Sequence, residues 1–202
     1  MAKLYFRYGA MNCGKSTALL QVAHNYKEKD RTIVLLKPSI DKKGDNCVVS
    51  RIGIKREVDY LITPEESIIE VIKDRLNELD CILVDEVQFM KEKQIDDLFL
   101  ITKHYDIPVI CYGLRNDFRT ELFEGSKRLF ELADEYQEME TICSCGKKAR
   151  FNARMVNGEY TDVGDQVVID GTASVIYEPL CGKCYLEKVK KLEIDKPKVK
   201  KL

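Results

Sequence analysis

Two short runs of residues carry groups whose types and spacing suit phosphoryl chemistry. Gly9-Ala10-Met11-Asn12-Cys13-Gly14-Lys15-Ser16 fits the phosphate-loop pattern G-x-x-x-x-G-K-[ST] at every fixed position. Glycines let the backbone turn so that successive N–H groups face phosphate oxygens, and a helix beginning near Lys15 adds its positive dipole end. The Lys15 ammonium then reaches the β- and γ-phosphates of ATP, and the Ser16 hydroxyl ligates Mg²⁺. The second run is Ile82-Leu83-Val84-Asp85-Glu86, an apolar stretch ending in two acids. Asp85 can meet the metal through its water shell, which leaves Glu86 free to take a proton from an attacking hydroxyl or water. These groups describe an ATPase or a kinase and do not separate the two.

Eight cysteines divide into four scattered and four paired. Cys81 and Cys111 lie in apolar, strand-like runs that suit small buried thiols, and Cys13 and Cys47 stand alone. Cys143-Ser144-Cys145 and Cys181-Gly182-Lys183-Cys184 offer four thiolates at the two ends of one segment. That set matches a closed, tetrahedral, structural Zn²⁺ site, with a redox pair or free thiols as the alternative. His24 and His104 are far from both pairs and read as ordinary helical residues.

The elements that must position these groups follow from periodicity. Leu4 to Tyr8 is a strand running into the glycine loop, and a helix over 16–29 carries Ala18, Leu19, Val22 and Tyr26 at helical spacing. Thr32 to Leu36, Cys81 to Val84 and Pro108 to Tyr112 are further buried strands. Helices are expected over 91–104 and 124–133. Thr63-Pro64-Glu65-Glu66 reads as a helix start with a capping box, opening a helix through Leu79. The charged stretch 37–59 lacks periodicity and reads as a long mobile loop or irregular hairpin. Alternating strands and helices imply a parallel sheet covered on both faces, with ligands at the strands' carboxyl ends, where Gly9, Asp85 and Gly113 fall. After about residue 140 the pattern changes, and Asn157-Gly158 is a hairpin turn signal. The expected organisation is an α/β phosphate-loop domain of the RecA-like type over 1–140, a small zinc-containing domain over 141–192, and a disordered basic tail over 193–202.

A formal net charge of −1 gives no global basic field, which argues against nucleic acid or membrane as partner. Apolar runs are too short to span a bilayer. Met1-Ala2-Lys3-Leu4 enters the first strand with no signal-peptide pattern, so a cytoplasmic location is expected.

Taken together, GAMNCGKS, DEVQF (85–89), YGLRNDFR (112–119), FNAR (151–154), VVIDG (167–171) and YEPLCGKCY (177–185) resemble the cytosolic-type, zinc-containing thymidine kinases over about residues 1–192. The resemblance implies transfer of the ATP γ-phosphoryl group to the 5′-hydroxyl of thymidine, with deoxyuridine beside it. It implies Glu86 as general base. The phosphate loop Gly9, Ala10, Met11, Asn12, Cys13, Gly14, Lys15 and Ser16, with Asp85 and Gln88, is implied as the ATP and Mg²⁺ set. Phe89, Leu114, Phe118 and Phe123 are implied as the apolar nucleoside wall, with Met11 and Asn152 beside the thymine methyl. Tyr177 is implied to pack on the base from a zinc-anchored lasso whose backbone, at Val168, Ile169, Asp170 and Gly171, reads the pyrimidine edge. Arg154 and Lys43 are implied near the phosphates. The resemblance also implies feedback inhibition by dTTP and a homotetramer. The chain departs from the family at Ala10, where a proline is usual, and at Lys43, which keeps the charge of the usual arginine without its fork. Two other classes of reading remain. One is a nucleic-acid-stimulated ATPase gripping its substrate through the zinc module, which the charge disfavours. The other is a regulatory nucleotide-binding module without chemistry, which intact Lys15, Ser16, Asp85 and Glu86 disfavour.

Overall fold

The computed structural model describes residues 1–41, 44–166 and 175–192. Lys43, Val168, Ile169, Asp170, Gly171 and the tail 193–202 lie outside the described residues. The chain begins with β1 (Leu4–Tyr8), α1 (Lys15–Lys27) and β2 (Ile33–Pro38). A hairpin of β3 (Cys47–Val49) and β4 (Lys55–Glu57) follows, then β5 (Tyr60–Ile62). Helix α2 (Ile68–Ile72) continues as a 3-10 helix over Lys73–Glu78 into β6 (Cys81–Val84). After a 3-10 turn at Val87–Phe89 come α3 (Glu92–His104), β7 (Val109–Gly113), α4 (Glu124–Leu132) and β8 (Glu135–Glu138).

Six of these strands form one sheet in the order β5-β2-β6-β7-β1-β8, and every pairing is parallel. Alternation along β2 explains the two cores. Val34 and Leu36 pack with Ile68, Ile72, Ile95, Leu98 and Leu129 of α2 to α4, whereas Ile33 and Leu35 pack with Leu19, Leu20 and Ala23 of α1. Helices on both faces leave no solvated side, so all residues of β2, β6 and β7 are buried and none of the three shows the polar alternation of a one-sided sheet.

The remaining elements are β9 (Thr141–Ile142), β10 (Lys148–Ala149), β11 (Phe151–Val156), β12 (Glu159–Thr161), β13 (Val175–Leu180) and α5 (Gly182–Lys188). They carry a third core of Cys143, Ala149, Ala153, Leu180, Cys181, Tyr185 and Val189. The β11–β12 hairpin turns at Asn157 and Gly158, both with positive φ, as the Asn-Gly signal requires.

The structure corrects one expectation and sharpens the reading at two other places. The helix expected from Thr63 begins at Ile68. Glu66 does reach back to the Thr63 amide at 2.7 Å, but Asp97 of α3 takes the Ile68 amide at 2.8 Å and the Ser67 hydroxyl at 2.7 Å, so a tertiary carboxylate sets the helix start. Of the two readings of 37–59, a long mobile loop or an irregular hairpin, the hairpin is the one formed: β2 ends at Pro38, and β3 pairs antiparallel with β4. Edge strands β5 and β8 were not foreseen: both are short, and β8 reads Glu-Tyr-Gln-Glu, without an apolar run.

Candidate active site

The carboxyl ends of the central strands converge as expected. The Gly9 amide donates to the Gly113 carbonyl at 3.4 Å, and the Asp85 amide donates to the Leu36 carbonyl at 3.0 Å, so the ends of β1, β7, β2 and β6 meet along one edge. At Gly9 a Cβ would lie 2.4 Å from the Met139 carbonyl oxygen and 2.6 Å from the Cys13 sulfur, so only glycine lets the loop leave β1 this closely. Lys15 is buried and folds over the loop it belongs to, donating to the carbonyls of Ala10 at 3.0 Å and Gly9 at 3.3 Å. Ser16 follows on the first turn of α1.

Asp85 is 4% exposed. Burial, then the neighbouring Glu86 carboxylate, push its pKa up to about 7, against the opposing pull of the Glu86 amide and Lys15. A buried carboxylate next to a second acid, with Ser16 and that acid, Glu86, lining one cavity, offers hard oxygen donors, which fits the Mg²⁺ that an ATP-using kinase family requires. Glu86 itself sits in the left-handed region, at φ 48° and ψ 37°, an uncommon conformation for a residue other than glycine. Its carboxylate accepts from the Gln88 side-chain amide at 2.6 Å, and the Gln88 oxygen accepts from the Leu114 amide at 3.0 Å. Gln88 is thus a buried bridge from Glu86 to the end of β7. A Cβ at Gly113 would lie 2.7 Å from the Gln88 oxygen, so the glycine makes room for that bridge.

Leu114, Phe118 and Phe123 are buried, and Phe123 meets Phe89 edge-on with ring centroids 5.6 Å apart. Arg154 on β11 lies over the Phe118 ring at 5.0 Å, opposite Tyr177 of β13 in register. Among the described residues, Nε and Nη1 of Arg154 are buried and find no acceptor. Asn152 accepts from the Met11 amide at 2.8 Å and donates to the Asn116 carbonyl at 3.2 Å, joining β11 to the phosphate loop.

Sequence reasoning missed two supports of this wall. Buried Asp117 accepts from the amides of Arg119 at 2.8 Å and Glu121 at 2.9 Å, closing the turn that presents Phe118. An Asp two residues before the amide it caps is a recognisable turn signal. Tyr185 of α5 donates its hydroxyl to the Phe118 carbonyl at 2.6 Å, a long-range contact with no local signature.

Cys143, Cys145, Cys181 and Cys184 bring their sulfurs within 4.8 Å of one another. Burial opposes the Cys143 thiolate, but the amides of Cys145 and Cys181 and the neighbouring thiols hold it down to about 6. Cys145, then burial, push Cys184 up to about 12. Four thiols this close ionise together only around a cation, and the set fits tetrahedral Zn²⁺.

A phosphate loop, a strand-end acid pair and an adjoining aromatic wall define a nucleotide-dependent phosphotransferase with a cysteine-built zinc site. The family model for thymidine kinase matches residues 2–185. The thymidine kinase of Enterobacteria phage T4 is 45% identical over 95% of this chain and 100% of its own length. That of Lactiplantibacillus plantarum is 44% identical over 92% of this chain and 96% of its own, and that of Haemophilus influenzae strain 86-028NP is 44% identical over 93% and 98%. The chain belongs to the thymidine kinase family.

Proposed function

We propose that this chain transfers the γ-phosphoryl group of ATP to the 5′-hydroxyl of thymidine, with Glu86 as general base. One cavity of about 220 Å³ carries the reading, because the donor and acceptor groups share it: Lys15, Ser16 and Thr17 line it together with Glu86, Met11 and Leu114. Lys15 and the loop amides hold the polyphosphate. Ser16 and Asp85 would hold Mg²⁺, which when bound with ATP neutralises charge on the phosphates. Glu86, fixed by Gln88, accepts the proton as the 5′-oxygen attacks. Among the described residues Nε and Nη1 of Arg154 find no acceptor, which supports a place for its guanidinium beside an anion, and Phe89, Phe118, Phe123 and Tyr177 suit the flat faces of a base. The bond from the Met11 amide to Asn152 supports a role for Asn152 between the nucleoside and the donor loop. Lys43 near the phosphates, the pyrimidine-reading backbone at 168–171, deoxyuridine as a second acceptor, dTTP inhibition, a cytoplasmic location and a homotetramer rest on the family resemblance. Light scattering on the eluted protein reads the assembly.

The test is ADP release with thymidine and Mg²⁺. Thymidine-dependent turnover is expected in the wild type, and its absence refutes the reading. Glu86→Gln is expected to lower turnover about a hundredfold while ATP still binds. Near-normal turnover in that variant refutes Glu86 as base.

A further inference from the structure

We propose that Gln166 and Asp117 form a clasp that positions the Arg154 guanidinium for a substrate phosphate, with Gln166 as the positioning residue. The inference rests on reading Arg154 as a cation beside the transferred group, and it adds what keeps that cation in place and unpaired.

Arg154 is held from two sides. Its guanidinium carbon lies 5.0 Å from the centre of the Phe118 ring. On another side the chain at Gly164 comes so close that a Cβ there would lie 2.7 Å from Nη1 of Arg154. Gly164 takes φ 124°, where a side chain would be strained. Asp117 grips both sides. Its Oδ1 accepts from the amides of Arg119 and Glu121, which closes the turn carrying Phe118. Its Oδ2 accepts from the side-chain amide of Gln166 at 3.2 Å, two residues beyond Gly164. The other end of that segment is tied to the end of β12, where the Val163 amide donates to the Thr161 hydroxyl at 3.1 Å.

The clasp also leaves the cation free for a ligand. Burial raises the Tyr177 phenol, Arg154 opposes that rise and Asp117 adds to it, so the two opposite charges stand near one hydroxyl. Among the described residues no hydrogen bond or ion pair joins them, and Oδ2 of Asp117 is already engaged by Gln166 and by Nε of Arg119 at 3.1 Å. Nε and Nη1 of Arg154 stay without an acceptor on a residue that is 8% exposed. A buried charged donor left unmet is costly, and a phosphate oxygen relieves that cost on binding.

The test uses the zinc-loaded protein with Gln166→Met, which keeps the length of the side chain and removes its donor. A crystal structure of the variant is expected to show the Arg154 guanidinium displaced from the Phe118 ring relative to wild type. In ADP release, turnover should fall about tenfold while the KM for ATP stays within about twofold. The same change made in an Arg154→Met background should cost less than about twofold, because the group it positions is gone. An equal penalty in both backgrounds overturns the proposal, since Gln166 would then act on the fold and not through Arg154. An Arg154 that keeps its place over Phe118 in the variant structure also overturns it, whether or not thymidine proves to be the acceptor.

Discussion

At the scale of single residues, the site depends on side chains that orient others. Glu86 sits in a left-handed conformation, and its carboxylate is fixed by a hydrogen bond from the Gln88 side-chain amide. Gln88→Leu keeps similar bulk but removes that donor and leaves the Leu114 amide without its acceptor. Turnover should fall about tenfold, with both KM values within about threefold, and the lost acceptor should cost about 1–3 kcal/mol of stability. Steady-state kinetics and a denaturant titration read the two effects separately. A raised KM for ATP with unchanged turnover would instead make Gln88 a nucleotide contact. Gly9 to Ser16 and Asp85-Glu86 were legible in the sequence because a phosphate cradle imposes fixed spacing on the chain. The Gln88 bridge was not, since it depends on the end of β7 lying alongside and on Gly113 leaving room for its oxygen.

At the scale of elements, the cysteine cluster and the aromatic wall are one mechanical unit. Cys181 caps α5, Tyr185 one turn later stacks on Phe151 at 5.2 Å, and its hydroxyl holds the Phe118 carbonyl. Zinc bound by the four thiolates therefore fixes a helix that fixes the turn carrying Phe118. Removing zinc with a chelator should raise the KM for thymidine well beyond that for ATP, because the phosphate loop belongs to the parallel-sheet core. Tyr185→Phe tests the strut alone, with the KM for thymidine expected to rise about three- to tenfold and zinc content unchanged. An unchanged thymidine KM in this variant would remove the strut from the argument. The cysteine pairs were legible from spacing. The strut was not, because it joins residues 67 positions apart. The same limit explains α2, whose start is set by Asp97, 29 residues beyond Ile68.

At the scale of the whole molecule, the sheet is closed at its amino-terminal side by a staple between distant segments. Asp134, just before β8, accepts from the Leu4 amide of β1 at 2.8 Å and from Lys103 near the end of α3 at 2.7 Å. Burial works against its ionisation, but Lys103 and the Leu4 amide outweigh it and hold the carboxyl below its ordinary 3.8. Because the folded value is the lower one, the stability this group contributes is fully present above the unfolded carboxyl value. It is lost as pH falls from there through the folded value. Asp134→Asn should therefore lower Tm at pH 7 by about 2–4 °C, since the pair is partly exposed and its Coulomb share is screened. Wild type and variant should converge as the pH falls through the folded value, below which both side chains are uncharged. Melting curves from pH 7 down through the acid titration of this carboxyl read the difference directly. A gap that persists at the acid end would assign the effect to amide geometry at Leu4 rather than to charge, and an absent gap at pH 7 would remove the staple from the stability of the sheet.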